Sequence, residues 1–572
     1  MEAVTEKIEV SRIAAPRHTA ARAMLQALAD RGVRIAFGIP GGLVSPFFDA
    51  LAEVPEIEIV STRHEAMAAF AAMGYAAATG RPAIVITTGG PGITNAITGV
   101  AAALAEELPM IVIAGDVPQS ARSRGAIQDS TTNAIDVVAM MRTVTRWSVA
   151  VERASQAGPA AEQAFRTATG ARPGPVFLSI PLDVGNTPIA HSAIAMSAPA
   201  PARPDLAACA TVAAALAGAR RPLLVVGNGA RSAAAEIRLL AERLTIPVVT
   251  TPHAKGVFPE SHRLHLGGIG FGGHTSASEY LASRPDVVCI LGSRLGDTAT
   301  NGWTLPITGA EATFQIDREA SHLGRNYPLT LGVVADCAEA LRAIDASLPS
   351  DVAKPQREFK GIRRIAPAGG ADVRETLHPA RVLELIQLAF PRALFTSDQG
   401  EHCAFAVHYL TIDEPGGFRA MVGLGSMGSG IGGAIGTRCA RPDREVVAIC
   451  GDGGLAMYAG EILTCAENGI GVLFVVFNDG RWNMIHHGFQ AVYGRRPRGL
   501  PAHVADLAET ARGLGAIGVR IDDPSALAPE KLRPLLEPRR PVVLDVRIDA
   551  EVSLSAATRS ASLRKSAFGG AL

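Results

Sequence analysis

Two glycine-flanked acidic turns, each at the end of an apolar run, have the residue types and spacing to hold a divalent cation. In "AICGDGGLAM" the apolar run 446–450 breaks into Gly451-Asp452-Gly453-Gly454 and then reads as a helix. Glycines at the carboxyl end of a parallel strand let backbone N–H groups approach phosphate oxygens, and a helix N-terminus there favours the anion. A carboxylate in that turn would repel phosphate. Asp452 therefore makes sense as ligand to a cation that bridges protein and phosphate. Residues 454–477, 24 in all, separate this turn from Asn478-Asp479 in "FVVFNDGRWNMIHHG", where the next apolar run ends. That strand end can supply further oxygen ligands to the same ion. Either turn alone would pass for an ordinary Gly/Asp turn.

Glu65 is a second kind of candidate. It follows the strand-like "EIEIVST" and opens an Ala/Met-rich helix in "RHEAM". Burial there would raise its pKa and let it hold a proton near neutral pH; a lone Glu at a helix start is otherwise favoured simply by the helix dipole. His486 and His487 are adjacent, so on a helix they point about 100° apart. A zinc pair on one helix face would need i,i+3 or i,i+4 spacing. His487 as proton donor to a bound substrate is the sharper expectation for this pair, against a partly exposed polar turn.

The elements that must position these groups alternate between short apolar strands and amphipathic helices, the signature of parallel α/β sheets. Strands are expected at "IAFGIP", "EIEIVST", "AIVITTG", "MIVIAGD" and "GPVFLSIPLDV"; then at "RPLLVVGNGA", "IPVVTTPHAKG", "DVVCILGSRLG" and "TFQIDR"; then at "ALFTSDQG", "EVVAICGDGG", "GVLFVVFND" and "PVVLDVRID". Linker-like text at 191–205 and 347–379 divides the chain. The resulting domains are 18–190, 205–346 and 376–550, with 551–572 as a Ser/Ala-rich tail or lid. A length of 572 residues suits several cores. Lys+Arg and Asp+Glu both total 54, so charge gives no reason to expect nucleic acid or an anionic membrane as partner. No apolar run approaches the roughly 20 residues of a bilayer span, and the start lacks a signal-peptide block. The seven cysteines form no CxxC pair and read as reduced, buried thiols. A cytoplasmic enzyme is expected.

The GDG turn and the Asn-Asp pair resemble the GDG…NN motif of thiamine diphosphate enzymes. The rest of the chain resembles one branch of them, the acetolactate synthase-like (acetohydroxyacid synthase) family. "FGIPGG" is similar to its FGYPGG, "STRHEAMAAFAAMGYAAATGRP" to its RHE segment and "TTGGPGITN" to its SGPGATN. "TTPHAKGVFPESHRLHLGGIGFGGH" resembles its middle-domain TTL.GKG.FPE stretch, "TSDQGEHCAF" its DVGQHQMW and "GLGSMGSGIGGAIG" its GLGTMGFGLPAAIG. Order and spacing agree from about residue 30 to about 550.

The resemblance implies an α/β fold of three doubly wound parallel-sheet domains, binding the pyrimidine, a possible FAD, and the diphosphate with its metal. The cofactors implied are thiamine diphosphate and Mg2+, plus an FAD with no redox task in the ligation. The metal ligands would be Asp452, Asp479 and the backbone oxygen of Arg481. Gly453, Gly454 and His402 would hold the diphosphate, with Glu401 beside them. The Gly425 carbonyl would accept from the pyrimidine amino group and Met427 would wedge between the two rings; Asn95 and Met484 also fall at cofactor positions. Glu65 would hydrogen-bond the pyrimidine N1′. Gly41, Gly42, Gln128 and Ile485 match substrate-pocket positions, Gln128 with a catalytic role beside His487, and Lys255 matches a residue near the entrance. Glu65 and the GDG turn would come from different subunits, so a homodimer is the minimum and a homotetramer is expected.

This chain departs from the pattern in places. Asp479 and Glu401 stand for Asn and Gln, and His487 for a frequent Gln. Ile127 stands for a Phe, and Gly488 for a Trp that favours 2-ketobutyrate as acceptor. "SRLGDTA" lacks one Asp and one Arg of the flavin-lining segment. A carboligase with an altered acceptor pocket is therefore expected, decarboxylating a 2-oxo acid such as pyruvate and passing the acyl carbanion to an acceptor carbonyl. The alternatives are a non-ligating decarboxylase, a pyruvate oxidase-like enzyme, or a catalytically silent cofactor-binding assembly subunit.

Overall fold

The computed structural model describes residues 18–189, 203–304, 306–350, 357–364, 377–500, 503–554 and 563. Much of both linkers, and the tail beyond 554 apart from residue 563, lie outside the described residues. The expected three-domain α/β architecture is present as three six-stranded sheets, every strand pair within them parallel.

The first sheet comprises β1 (Ile35–Gly38), β2 (Glu58–Ser61), β3 (Ala83–Thr87), β4 (Met110–Asp116), β5 (Trp147–Ala150) and β6 (Pro175–Pro181), in the order β2-β1-β3-β4-β6-β5. The second comprises β7 (Pro222–Val226), β8 (Val248–Thr250), β9 (His265–Gly268), β10 (Val287–Leu291), β11 (Ala312–Asp317) and β12 (Leu331–Val334), ordered β12-β11-β10-β7-β8-β9. The third comprises β13 (Leu394–Ser397), β14 (Phe418–Ala420), β15 (Val446–Gly451), β16 (Leu473–Asn478), β17 (Ile517–Ile521) and β18 (Val542–Arg547), ordered β14-β13-β15-β16-β18-β17. The first and third sheets share one topology; the second has the 3-2-1-4-5-6 order of dinucleotide-binding folds. β5, β9, β12, β14 and β17 escaped the sequence reading. They are three to five residues long, and all five lie at a sheet edge, so their apolar signal is weak.

The topology places the sites. Ligands of open parallel sheets bind beyond the carboxyl ends of strands, where the winding direction reverses. That point lies between β13 and β15 in the third sheet, at Gln399–His402 and Gly451–Gly454. It lies between β1 and β3 in the first, and between β7 and β10 in the second.

The first and third domains share one continuous core. Helix Glu65–Thr79 packs on helix Ser429–Ala440 with their backbones almost touching. A Cβ on Gly436 would lie 1.8 Å from the Ala71 carbonyl oxygen, and one on Gly74 2.1 Å from that of Gly433. All seven cysteines are free, six of them buried. No helix among the described residues is long and apolar enough to cross a membrane.

Candidate active site

A cavity of about 300 Å3 opens at the carboxyl ends of β13, β15 and β16. Asp452, Gly453, Gly454, His402, Met427 and Asp479 are among its lining. Asp452 is the first residue of helix Asp452–Met457. The Gly453 N–H donates to its Oδ1 (2.7 Å) and the Gly480 N–H to its Oδ2 (2.9 Å). The second bond ties the GDG turn to the Asp479 turn, so the two strand ends meet as their spacing predicts. The Arg481 N–H donates to Asp479 Oδ1 at 2.8 Å. Burial, and then the charge of Asp452, push the Asp479 carboxyl up to about 7; burial also raises Asp452. Two such carboxylates are a favourable place for a dication. Among the described residues no group of three or more His, Cys, Asp or Glu forms a complete metal cage. That suits a hard cation which completes its shell with water and phosphate oxygens.

His402 supplies the clearest mark of a missing partner. It lines the cavity, burial pulls its pKa down to about 4, and its buried Nε2 has no hydrogen-bond partner. A neutral imidazole with a free nitrogen here fits an anion seated on the backbone of Gly453 and Gly454. Gly425 has φ +80°, open space where a side chain would be, and a place on the cavity wall.

The first domain presents a second constellation. Glu65 is buried at the start of its helix, and its Oε2 accepts from Asn95 Nδ2 at 3.0 Å. A Cβ on Gly92 would sit 3.5 Å from Glu65 Oε1, and one on Gly41 2.8 Å from Thr88 Cβ. Thr88 Oγ1 donates to Gln128 Oε1 at 3.1 Å. Gly41, Gln128, Asn95 and Glu65 thus gather at the ends of the first sheet's strands. Glu65 is not among the residues lining the Asp452 cavity of its own chain.

Three family models match in series. They are described as the thiamine pyrophosphate enzyme N-terminal TPP binding domain (residues 18–140), central domain (209–344) and C-terminal TPP binding domain (398–546). An acetolactate synthase large subunit of Parasynechococcus marenigrum is 33% identical over 92% of this chain and 87% of that protein. The chain belongs to the thiamine pyrophosphate enzyme family. Its other relatives include a probable acetolactate synthase large subunit of Methanocaldococcus jannaschii, 31% identical over 93% of this chain and 92% of that protein. The isozyme 1 large subunit of Escherichia coli acetolactate synthase is 30% identical over 94% and 95%. This member of the family is an enzyme of the acetolactate synthase type.

Against the family pattern, several residues stand where the sequence alone could not put them. Glu401 lines the cavity, but both its carboxylate oxygens are taken. Oε1 accepts from Ser553 Oγ (2.9 Å) and the Leu554 N–H (3.0 Å), and Oε2 pairs with His487 Nδ1 (2.6 Å). It lies on the same cavity wall as His402, Gly453 and Gly454, with its charge engaged by the protein. Burial works to lower the His487 pKa, and the Glu401 bond outweighs it and raises it. His486 faces elsewhere and accepts from Arg496 Nε at 3.2 Å. Met484 and Ile485 line the cavity, and a Cβ on Gly488 would meet nothing within 4 Å. Ile127 is 87% exposed on its own chain, and Gly42 likewise faces open space. Lys255, expected near the entrance, lines neither this cavity nor the middle-domain one. Its buried ammonium donates to both oxygens of Glu260 (2.7 Å each) and to the Val407 carbonyl (2.8 Å). An ion pair closed to water explains why it is spent on structure.

Two carboxylates went unnoticed in the sequence. Asp398 is wholly buried, and burial raises it to about 6 against bonds from the Gly428 (2.9 Å) and Gly430 (3.0 Å) N–H groups. It fastens the 425–430 turn beside Gly454, whose Cβ would lie 2.3 Å from its Oδ2. Glu461 accepts from the Arg63 N–H (3.0 Å) and Thr464 Oγ1 (2.8 Å), holding the turn that leads into Glu65. "SDQG" at a strand end was a usable signal for the first; nothing local marks the second.

Proposed function

We propose that this enzyme is a thiamine diphosphate- and magnesium-dependent carboligase of the acetolactate synthase type with an altered acceptor pocket. It decarboxylates a 2-oxo acid, pyruvate foremost, and joins the acyl carbon to an acceptor carbonyl. The observation that carries the reading is the meeting of Asp452 and Asp479 beside the unpartnered His402 Nε2, at the strand ends where an anion and its dication belong. Asp452, Asp479 and the Arg481 carbonyl would hold magnesium. Gly453, Gly454 and His402 would hold the diphosphate, and the Gly425 carbonyl and Met427 would place the pyrimidine. When bound, the thiazolium supplies the electron sink for loss of carbon dioxide.

The protein's own groups do the rest. Glu65, oriented by Asn95, would hold a proton toward the pyrimidine N1′ of a bound cofactor. Gly41, Gln128 and Ile485 border the acceptor, and His487 moves a proton to or from its oxygen. Small residues at Ile127 and Gly488, where aromatic walls would stand, reshape the space for the acceptor. Because Glu65 and the Asp452 cavity are separate within one chain, two copies facing each other complete the site; a homodimer is the minimum and a homotetramer the expected assembly.

The middle domain offers a place for FAD. A cavity of about 500 Å3 lies at the winding reversal between β7 and β10, lined by Gly229, Gly292, Arg294 and Arg318. It shares Gln399, Gly425 and Met484 with the Asp452 cavity. Glu107 engages Arg294 at 3.5 Å, while Arg318 is exposed. Absorbance near 450 nm in the purified protein tests this part.

The main reading is tested by incubating the protein with thiamine diphosphate, magnesium, pyruvate and candidate acceptors, and identifying the product by mass. A new carbon–carbon bond supports it. Carbon dioxide release without ligation would favour the decarboxylase.

A further inference from the structure

Glu401 and His487 are both departures from the family pattern, and they are bonded to each other. The 2.6 Å contact joins Oε2 to Nδ1. The other oxygen, Oε1, takes the hydroxyl of Ser553 and the backbone N–H of Leu554. One buried carboxylate thus binds helix Asn483–Tyr493 and the chain after β18 at once. That following segment is itself a wall of the cavity, through Ile548 and Val552. It is held a second time by Asn483 Nδ2, which donates to the Ala550 carbonyl at 2.9 Å, and by Arg481, which bonds the same carbonyl and pairs with Glu551 at 2.9 Å.

The bond pattern constrains the imidazole. A carboxylate accepts only, so Nδ1 must carry the proton it shares with Oε2. His487 does not itself line the cavity, but it shares a helix face with Asn483 and Met484, which do, and Nε2 is the ring nitrogen that the Glu401 bond leaves for a substrate. The pairing also neutralises a carboxylate that would otherwise face an anionic cofactor across the same cavity.

We infer that Glu401 is a positioning residue. It holds His487 by Nδ1 so that Nε2 exchanges the proton with the acceptor oxygen, and it makes that arrangement conditional on residues 553–554 being seated. This rests on the carboligase reading. As the new carbon–carbon bond forms, the carbonyl electron pair moves to the acceptor oxygen. That oxygen takes the Nε2 proton of the imidazolium, leaving the neutral Nδ1–H imidazole, which a proton from bulk solvent then recharges.

Glu401→Gln isolates the role. The amide oxygen can still accept from Ser553 and Leu554, so the segment stays seated. The amide nitrogen then faces Nδ1 as a donor and forces the opposite tautomer on a neutral His487. The full-length holoenzyme is compared as wild type, Glu401→Gln, His487→Gln and the double variant. The readouts are calorimetric binding of thiamine diphosphate with magnesium, carbon dioxide released from pyruvate, and ligated product per carbon dioxide. Cofactor binding within about threefold of wild type is expected for Glu401→Gln and the double variant, and weaker binding for His487→Gln, which leaves the Glu401 carboxylate unpaired in the cavity. Product per carbon dioxide should fall by about tenfold or more in each single variant, and no further in the double, because the two residues act as one unit. An unchanged ratio in Glu401→Gln, or losses that multiply in the double variant, overturns the inference. A wild-type protein that binds the cofactor and releases no carbon dioxide overturns the carboligase reading, and this inference with it.

Discussion

Asn95 Nδ2 donates to Glu65 Oε2 at 3.0 Å, and this bond, between the first turns of two neighbouring helices, fixes the direction of the buried carboxyl group. Replacing Glu65 by Gln should preserve the geometry, because the amide oxygen can accept the same Asn95 proton. It removes only the ability to gain and lose a proton. Turnover should therefore fall by roughly 10^2–10^4, with thiamine diphosphate affinity within a few-fold of wild type. Steady-state kinetics beside calorimetry checks both, and unchanged turnover would sink the catalytic role.

Gly488 offers a specificity test. A Cβ here would meet nothing within 4 Å on its own chain, so a side chain can leave the helix at this position without a clash at its root. Gly488→Trp restores the aromatic wall of the family pattern. Competition between pyruvate and 2-ketobutyrate as acceptors should shift toward 2-ketobutyrate by about tenfold or more, since one methylene in an apolar pocket is worth roughly 1–3 kcal/mol. Product ratios by mass spectrometry measure it.

The helix pair that joins the outer domains leaves no room for a methyl group. In Gly436→Ala the new Cβ would start 1.8 Å from the Ala71 carbonyl oxygen, a backbone atom that cannot turn aside. The helices must separate, at a cost of about 1–3 kcal/mol or more. A lower thermal midpoint and a loss of soluble protein are expected. Gly488→Ala, with open space around it, serves as the control and should leave the midpoint within about a degree of wild type.

His322 predicts a loss of stability on the alkaline side. It lies 3.1 Å from Asp317 and 3.3 Å from Glu107, linking the middle domain to the first. Its hydrogen bond to Asp317 and the Glu107 carboxylate beside Nε2 raise its pKa to about 9, above the roughly 6.5 of an unfolded histidine. A raised pKa stabilises fully below the unfolded value and is lost as pH climbs through the folded one. The thermal midpoint should therefore drop between pH 7 and pH 9. The buried acids raised to about 7, Asp479 and Glu461, are half ionised at pH 7 and add their own loss up to about pH 8, equally in wild type and variant. His322→Gln should begin lower and vary less over the same range; an equal slope in both proteins would refute the assignment.

Much of this protein is written locally. Alternating apolar runs specify parallel α/β sheets. The GDG turn and the Asn478-Asp479 pair specify two acidic strand ends that meet, because glycine-rich strand ends and short-range spacing are properties of the chain itself. The position of Glu65 at the head of a buried helix is likewise legible, since an Ala/Met-rich run can only be interior. What the tertiary structure decided are the long-range partners. Glu401 and His487 lie 86 residues apart, and Glu401 and Ser553 152 apart. Neither contact has a signature in sequence, because it arises only when separate elements pack. The same holds for Lys255, whose ammonium, paired with nearby Glu260, is closed off by the Val407 carbonyl 152 residues away, and for Asp398, which fastens a glycine turn that it meets only across the sheet.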